Sequence, residues 1–518
     1  MVDLLGSVWA WPFKWACILR CLAYFPAQSL RDLKTHPAWA EADTGIPLPK
    51  TRHGCSVCLP TWDAVLGYEE KRNKVIRKLR AGYPRFLLHP ATARLFAEAE
   101  KGLADNGMKV VVFPTRDVAQ RAQRFVEKRS SSASRIASYE GLQALIVSED
   151  DFPVAMEYWR YTGEIVSSRQ AEHILQGEGN SEFRTTSLRK RLAKLGDYSP
   201  ENVYLYENGM AAMFAAHRAL NHLLPGRKTL QLEFPYVDAM RVQNHFGNGV
   251  VFLNEAIGES LDEALRRIAK GEFSAVFCEA PSNPLLRTVN LAAVSKVCRQ
   301  GGVPLVVDDT TCSVANIQVD RYADIVTTSL TKWISGRGDV MAGQVTLVPG
   351  SAMYSELKEF FDGDCEGGSR LYASDARVLA RNISGFAGRM RKSNKSGEML
   401  ADFLSEHPAV AKVWYPKFTT PKLYNSIKRE SGGYGGLISL LLKNRKKSAK
   451  FYDALRISKG PSLGTDFSLA CPYTLLAHYD ELEWAEGCGL DRHLIRISVG
   501  SEDASDVIER VREALDSI

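Results

Sequence analysis

The sequence predicts an α/β protein built on a large, mainly parallel sheet with helices on both faces, followed by a smaller C-terminal α+β domain. Three observations predict it. From about residue 200, short strands apolar along both faces ("NVYLY", "TLQLEF", "SAVFCEA", "VPLVVDD", "ADIVTT") alternate with helix-like stretches such as "AAMFAAHRALNHLL" and "LDEALRRIAK". Strands of that kind are covered on both sides, as parallel strands joined by helices are. After about residue 350 the texture changes: a long helical region leads to "AKVWYP", "GGLISLLL" and "LIRISVG", then to a closing helix "DASDVIERVREALDSI". Finally, 518 residues with 45% hydrophobic and 24% charged side chains suit a globular chain of two or three domains.

Taken in order, residues 1–150 read as an N-terminal extension, 151–350 as the large domain and 351–518 as the small one. The leader "LLGSVWAWPFKWACILRCLAYFP" is apolar and aromatic, but Lys14 and Arg20 interrupt it and Pro12 breaks a helix, so it reads as a packed or disordered leader, with an organelle signal as the alternative. Behind it, "HPATARLFAEAEKGLADNG" has helical spacing and an Asn106-Gly107 stop, "KVVVFP" reads as a strand, "RDVAQRAQRFVEKR" as a helix and "LQALIVSED" as a short strand. "SSSAS" reads as a connector.

Composition narrows the partners. The formal charge of +6 is spread along the chain, and basic runs such as "KNRKKSAK" lack interleaved aromatics, which argues against nucleic acid. No membrane span is expected. The ten cysteines lack the dense spacing of a secreted disulfide framework, so a reducing, cytoplasmic setting is expected. Cys55 and Cys58, with His53 beside them, have no second pair to complete four ligands, so no metal site is expected.

The chemistry should collect where parallel strands end, because ligands bind at their carboxyl edge. After "VYLY" comes "ENGMAAM", where Gly209 opens a helix whose free amides suit a phosphate. After "LQLEF" come Pro235 and Tyr236, after "AVFCEA" comes "PSNP" with Asn283, after "PLVV" comes Asp308, and after "DIVTT" come Ser329, Thr331 and Lys332. An Asp–Lys ion pair explains two of these residues. Pyridoxal 5'-phosphate explains the set: a lysine to form the Schiff base, an acid for the pyridinium nitrogen, an aromatic plate and a phosphate cradle. No GxGxxG follows a strand and no GxxxxGK is present, so dinucleotide and nucleoside triphosphate sites lack their signatures.

The motifs "SLTKWISGRGDVMAG", "VVDDTT", "EAPSNPLLR", "NGMAAMF" and "LIRISVGSED" resemble the Cys/Met-metabolism enzymes dependent on pyridoxal phosphate, over roughly residues 150–518 and in the family's order. "PSNPLLR" is more similar to cystathionine γ-synthases than to the lyases, and "LPTWDAVLGYEE" and "GYPRF" resemble the extension of the γ-synthase-like proteins of filamentous fungi. The resemblance implies the fold type I of pyridoxal-phosphate-dependent transferases. It implies that Lys332 links the cofactor and moves protons, that Asp308 pairs with the pyridine nitrogen and that Tyr236 stacks on the ring. Gly209 and Met210, with Ser329 and Thr331, would hold the phosphate. In "MEYWRYTGE", Tyr158 and Arg160 would reach the phosphate of a neighbouring subunit's cofactor, Tyr158 acting in catalysis, in a homotetramer built as a dimer of dimers. Arg496 would clamp the substrate α-carboxylate, assisted by Ser462 and Asn283. Three positions depart from the family pattern: Thr162-Gly163-Glu164 in place of an Asn-Pro-Thr-type run, Arg337 in place of histidine, and Asp309 in place of asparagine.

The implied reaction is a γ-replacement on an O-acylated homoserine, O-acetyl-L-homoserine for a fungal-like protein, with the cysteine thiol as nucleophile and cystathionine as product. A cystathionine γ- or β-lyase, a secondary-metabolism γ-synthase using a carbon nucleophile, and a non-catalytic homologue are the alternatives.

Overall fold

A computed structural model describes residues 31–178 and 183–518 of the chain; the apolar leader, with Cys17 and Cys21, lies outside the described residues. The large sheet has seven strands in the order β4-β10-β9-β8-β7-β5-β6. They are β4 (Val203–Tyr206), β5 (Thr229–Leu232), β6 (Val250–Leu253), β7 (Val276–Glu279), β8 (Leu305–Asp308), β9 (Ile325–Ser329) and β10 (Gly343–Leu347). Pairs from β6 to β9 are parallel, while β10 runs antiparallel to both its neighbours. All but β10 therefore run one way. The carboxyl ends of β4, β5, β7, β8 and β9 open on one edge, where the sequence motifs predicted the chemistry.

Two strands of this sheet, β6 and β10, escaped the sequence reading. In "MAGQVTLVPG" the strand β10 follows the glycine-rich run, whose turn signals mask it. "NGVVFLN" is short, and none of its four strand residues is fully buried, so it lacks the apolar contrast of its neighbours.

Ahead of this domain lies a three-stranded antiparallel sheet, order β1-β3-β2, of β1 (Met108–Phe113), β2 (Arg135–Tyr139) and β3 (Leu142–Ser148). Its apolar face carries helix Arg116–Glu127 and continues into the large domain. Phe113, Phe125, Tyr158, Trp159, Tyr206 and Phe214 belong to one buried cluster. The extension thus shares a core with the large domain instead of standing apart from it.

The small domain packs helices Phe386–Glu406 and Ala504–Asp516 on a five-stranded sheet of order β11-β12-β15-β14-β13. These strands are β11 (Val410–Trp414), β12 (Leu437–Leu442), β13 (Ser458–Lys459), β14 (Leu469–Pro472) and β15 (Ile495–Ser498). Between the two sheets, helix Tyr354–Asp364 buries Leu357 and Phe361 in the large domain's core, so the small domain's own packing begins later than residue 351. No helix among the described residues is long and apolar enough to cross a membrane.

Candidate active site

Strand β9 ends at Ser329, and the next residues turn back on themselves: Ser335 N–H donates to Leu330 O at 2.9 Å and Gly336 N–H to Lys332 O at 2.7 Å. This turn aims Lys332 inward. Its Nζ donates to Ser462 Oγ at 3.1 Å and lies 4.6 Å from the centroid of the Tyr83 ring. The opposing loop closes on it: Gly464, at φ +76°, would put a Cβ only 2.6 Å from Trp333 N, so glycine alone lets the chain from the small domain approach. No carboxylate pairs with Lys332 among the described residues. Burial, reinforced by Arg496, lowers its ammonium to about 7, so near neutral pH a large fraction of Nζ is uncharged and basic.

Asp308 closes strand β8. Its carboxylate accepts from Thr310 N–H and from Thr327 Oγ1, both at 2.9 Å. Opposite it in register stands Glu279, at the end of β7. Two buried carboxyls side by side cannot both ionise freely, and burial together with Asp308 pushes Glu279 upward. The donors around Asp308 oppose the upward pull of burial on its own carboxyl.

At the head of helix Gly209–Leu223, Asn208 caps the helix. Its Oδ1 accepts from Met210 N–H and Ala211 N–H, both at 3.1 Å. A Cβ on Gly209 would sit 2.7 Å from Ser329 Cβ, so the helix start and the Ser329 side chain approach more closely than any other residue allows. Thr331 is turned elsewhere. Its hydroxyl accepts from Ala342 N–H at 3.0 Å and faces Ala342 O at 3.3 Å. Of the two hydroxyls expected at the phosphate, Ser329 faces Gly209 and Thr331 pins the loop.

On the neighbouring strand end, Tyr236 Oη accepts from Arg85 Nη2 at 2.7 Å and faces Asp238 Oδ2 at 3.3 Å. Arg85 and Asp238 form a fully buried ion pair at 2.9 Å. Burial pulls the Asp238 carboxyl upward, but Arg85, Arg160 and Arg241 outweigh it and hold the group below its ordinary range. Arg496, from β15, is likewise buried. Its Nη1 donates to Asn283 Oδ1 at 2.9 Å, its Nη2 to Pro461 O at 2.7 Å and Ser462 O at 3.2 Å, and its guanidinium sits 4.7 Å from the Tyr473 ring centroid. No salt bridge to a protein carboxylate is found for it among the described residues, so an incoming carboxylate can take that place.

Residues 167–516 match the family described as Cys/Met metabolism PLP-dependent enzyme, and residues 91–167 match the fungal trans-sulfuration enzyme N-terminal domain. The chain belongs to the Cys/Met-metabolism family of pyridoxal-phosphate-dependent enzymes. It is 30% identical to the cystathionine γ-synthase of Neurospora crassa, across 91% of this chain and 98% of that protein. It is also 30% identical to the cystathionine γ-synthase-like enzyme iboG2 of Amanita muscaria, across 91% of this chain and 96% of that protein. Among solved structures it is similar to the cystathionine γ-synthase of Xanthomonas oryzae pv. oryzae in complex with cystathionine, with a TM-score of 0.57, 27% identity, and 65% of this chain and 86% of that one covered.

The site fits the family's cofactor. Lys332 is buried with a serine hydroxyl as its only hydrogen-bond partner among the described residues, a costly arrangement for a free ammonium and a suitable one for an amine that becomes covalently linked. The close approach at Gly209 leaves backbone and hydroxyl facing one another, as a phosphate cradle needs.

The expected Tyr158–Arg160 pair is not what the structure brings to the site. Both lie on helix Phe152–Thr162, and residues two apart on a helix point to different faces. Tyr158 is buried within its own chain among Phe113, Phe125, Phe214 and Phe246, at ring distances of 5.6 to 6.2 Å, and its hydroxyl donates to Glu164 Oε2 at 2.5 Å. It cannot reach a neighbouring subunit from there. Arg160 lies nearer the rim, with its guanidinium 4.7 Å from the Phe86 ring and its carbonyl accepting from Arg85 Nη1 at 2.6 Å.

The residues that reach the site with that spacing are Tyr83 and Arg85, from "GYPRF". This segment is a turn, closed by Phe86 N–H and Leu87 N–H on Tyr83 O at 2.8 and 3.0 Å, and it leaves the Arg85 guanidinium 5.7 Å from the Tyr83 ring centroid. The aromatic-x-arginine pattern of "GYPRF" is the signal, in a stretch whose sequence otherwise marks only the extension.

The departures fall into place as ion pairs and hydrogen bonds. Glu164 joins Arg121 at 2.5 Å, and its carboxyl falls to about 2 because Arg121 and Arg218 overcome the burial that raises it. Arg337, half-exposed, pairs with Asp466 at 2.5 Å. Asp309 is buried and accepts from Thr328 Oγ1 at 2.6 Å.

Proposed function

We propose that the chain catalyses γ-replacement on an O-acylated homoserine, with the thiol of cysteine as nucleophile and cystathionine as product. The observation that carries this reading is the pairing of a buried, low-pKa Lys332 with a buried Arg496 whose guanidinium has only neutral partners among the described residues. Around them is a chain 30% identical, over nearly its whole length, to a fungal cystathionine γ-synthase.

When bound, pyridoxal phosphate supplies an electron sink for the carbanion that a γ-replacement needs. Arg496, oriented by Asn283 and the Pro461 and Ser462 carbonyls, holds the α-carboxylate by its charge and its remaining N–H donors. That contact sets Cα against Lys332 Nζ, which removes the Cα proton. On its four-carbon stem the same amine would pass that proton on to the bound electron sink before taking a second one from Cβ. The acyloxy group then leaves Cγ as a carboxylate, the thiol adds there as it gives up its proton, and the amine returns protons to Cβ and Cα. Ser462 steadies Nζ, and the Tyr83 ring covers it on one side and limits water. Asp308 would face the pyridine nitrogen, Tyr236 the ring, and the Gly209 backbone with the Ser329 hydroxyl the phosphate, while Met210 N–H, expected there too, is taken by Asn208 Oδ1. A homo-oligomer built as a dimer of dimers is part of the proposal, with Tyr83 and Arg85, rather than Tyr158, as the aromatic and cationic residues of the site.

The equal identity to a γ-synthase and to a γ-synthase-like enzyme supports a second reading, in which the same donor meets a different nucleophile. One experiment separates the two. Purified protein is checked for a yellow colour that borohydride bleaches, then given O-acetyl-L-homoserine with and without cysteine. Cystathionine formed only with cysteine present supports the first reading. Yellow protein giving 2-oxobutanoate and ammonia in both tubes rejects cysteine as nucleophile and leaves elimination or another nucleophile. Protein that stays colourless with added pyridoxal phosphate overturns both.

A further inference from the structure

Glu279 has no place in the chemistry above, yet it touches both halves of the site. It is the last residue of β7 and 7% exposed. Its Oε1 accepts from Tyr236 N–H at 2.7 Å, and its Oε2 accepts from Asn283 N–H at 2.8 Å. Tyr236 stands at the start of helix Val237–Phe246, past the end of β5. Asn283 lies in the turn after β7, and its side chain receives Arg496 Nη1 and faces Tyr473 Oη at 3.3 Å. Where strands end, backbone N–H groups lose their ladder partners and need others. A carboxyl group offers two oxygens, one to each of two divergent donors.

We infer that Glu279 is a positioning residue that fixes the distance between the aromatic plate at Tyr236 and the Asn283–Arg496 carboxylate clamp. One rigid group tied to both strand ends leaves neither free to drift, and a displacement of about 1 Å is enough to spoil a reacting geometry. In place of Glu279, glutamine keeps one acceptor and turns the other into a donor facing an N–H, so one of the two ties is broken.

The inference rests on Arg496 as the carboxylate clamp, so the test carries that residue as well. The probe is L-norvaline, an amino acid with no leaving group, bound to the holoenzyme and followed by calorimetry and by the absorbance of the bound cofactor. Arg496→Ala should weaken it strongly; unchanged affinity would mean that the clamp assignment is wrong. With the clamp sound, Glu279→Gln should weaken norvaline about tenfold, roughly 1.4 kcal/mol, and leave cofactor retention on dialysis unchanged. Asn283→Ala should do much the same. The two together should cost little more than either alone, because Glu279 acts through Asn283. Fully additive losses overturn the inference, as does unchanged norvaline affinity with a lowered Tm, which would make Glu279 a strand-end support and no more. Should Glu279→Gln fail to fold, Glu279→Asp, which keeps both acceptors but retracts them by one methylene, is read in the same cycle against the same outcomes.

Discussion

Two stretches of chain meet at Lys332 and are held there differently. Along the carboxyl edge of the large sheet, these site residues stand at a strand end or within four residues of it: Tyr236 after β5, Asn283 after β7, Asp308 on the end of β8, Lys332 after β9. Their positions follow from the parallel ladder. The stretch from residue 38 to 89 has only short helices and is held by individual hydrogen bonds. Cys55 N–H reaches Gly338 O at 2.7 Å, Leu59 N–H reaches Lys459 O at 3.0 Å, and Lys459 Nζ, fully buried, reaches Pro60 O at 2.8 Å. This strap lies across the small domain and the loop after Lys332, and delivers Tyr83 and Arg85 to the site. The difference teaches that a regular scaffold fixes where chemistry can sit, while an irregular strap decides what covers it.

The largest effect should come from the sheet edge. Lys332→Ala should lower turnover by more than about 10³-fold, since it removes both the covalent anchor and the base. The protein should stay folded, because a buried lysine without an ion pair contributes little to stability. Circular dichroism and a single-turnover assay check both halves; turnover within tenfold of wild type would take the chemistry away from this edge.

Next is Arg496→Ala. It removes the clamp and leaves the groups that hold the cofactor in place, so KM for the amino acid should rise by about 10²-fold while the cofactor's absorbance persists. An unchanged KM would dissolve the assignment.

The strap supplies the third test, a contrast between two pairs of similar composition. Arg85→Ala strips Asp238, 0% exposed, of its ion-pair partner and takes one hydrogen bond from the Tyr236 hydroxyl, which keeps its contact with Asp238. A loss of about 3–5 kcal/mol in stability is expected from breaking such a buried pair. Turnover should fall with it, by roughly 10²-fold at temperatures where the variant is still folded. Tyr158→Phe should behave otherwise. It removes one hydrogen bond to Glu164, which keeps Arg121, for about 1–2 kcal/mol of stability. Turnover should stay within about twofold of wild type. If Tyr158→Phe hurts turnover more than Arg85→Ala, the two segments have been assigned the wrong way round.

What was legible follows the same division. Periodicity and strand ends pointed to Lys332, Asp308, Tyr236 and Asn283, because two-sided apolar strands announce a covered sheet whose open edge is known. Strand β10 is hidden by the glycines that precede it, and the cap at Asn208 stands beside Gly209, whose own helix-start signal covers it. Tyr83 and Arg85 were not legible as site residues, since an irregular segment has no period to say which way it faces. Tyr158 and Arg160 looked like a pair on paper. The helix they occupy turns them apart by more than half a revolution of its surface, which spacing alone would have exposed had the segment been read as helical.

The smallest effect tests how far the sheet edge tolerates change beside its working residues. Asp309 adjoins Asp308, and burial raises its carboxyl from an ordinary 3.8 to about 7, against the pull of the Thr328 hydroxyl bond. A carboxyl raised on folding favours the folded state most below its unfolded value, and that contribution is lost as pH rises through the folded value. The native chain should therefore lose ground to Asp309→Asn between about pH 4 and pH 7 and keep a constant deficit above. Asparagine retains the oxygen that accepts from Thr328, so turnover at neutral pH should change less than about threefold. Melting temperatures of both proteins from pH 5 to 8 check the sign. If instead the difference between the two proteins stays flat from pH 5 to pH 8, the Asp309 carboxyl is not raised on folding and is already ionised at pH 5 in the fold.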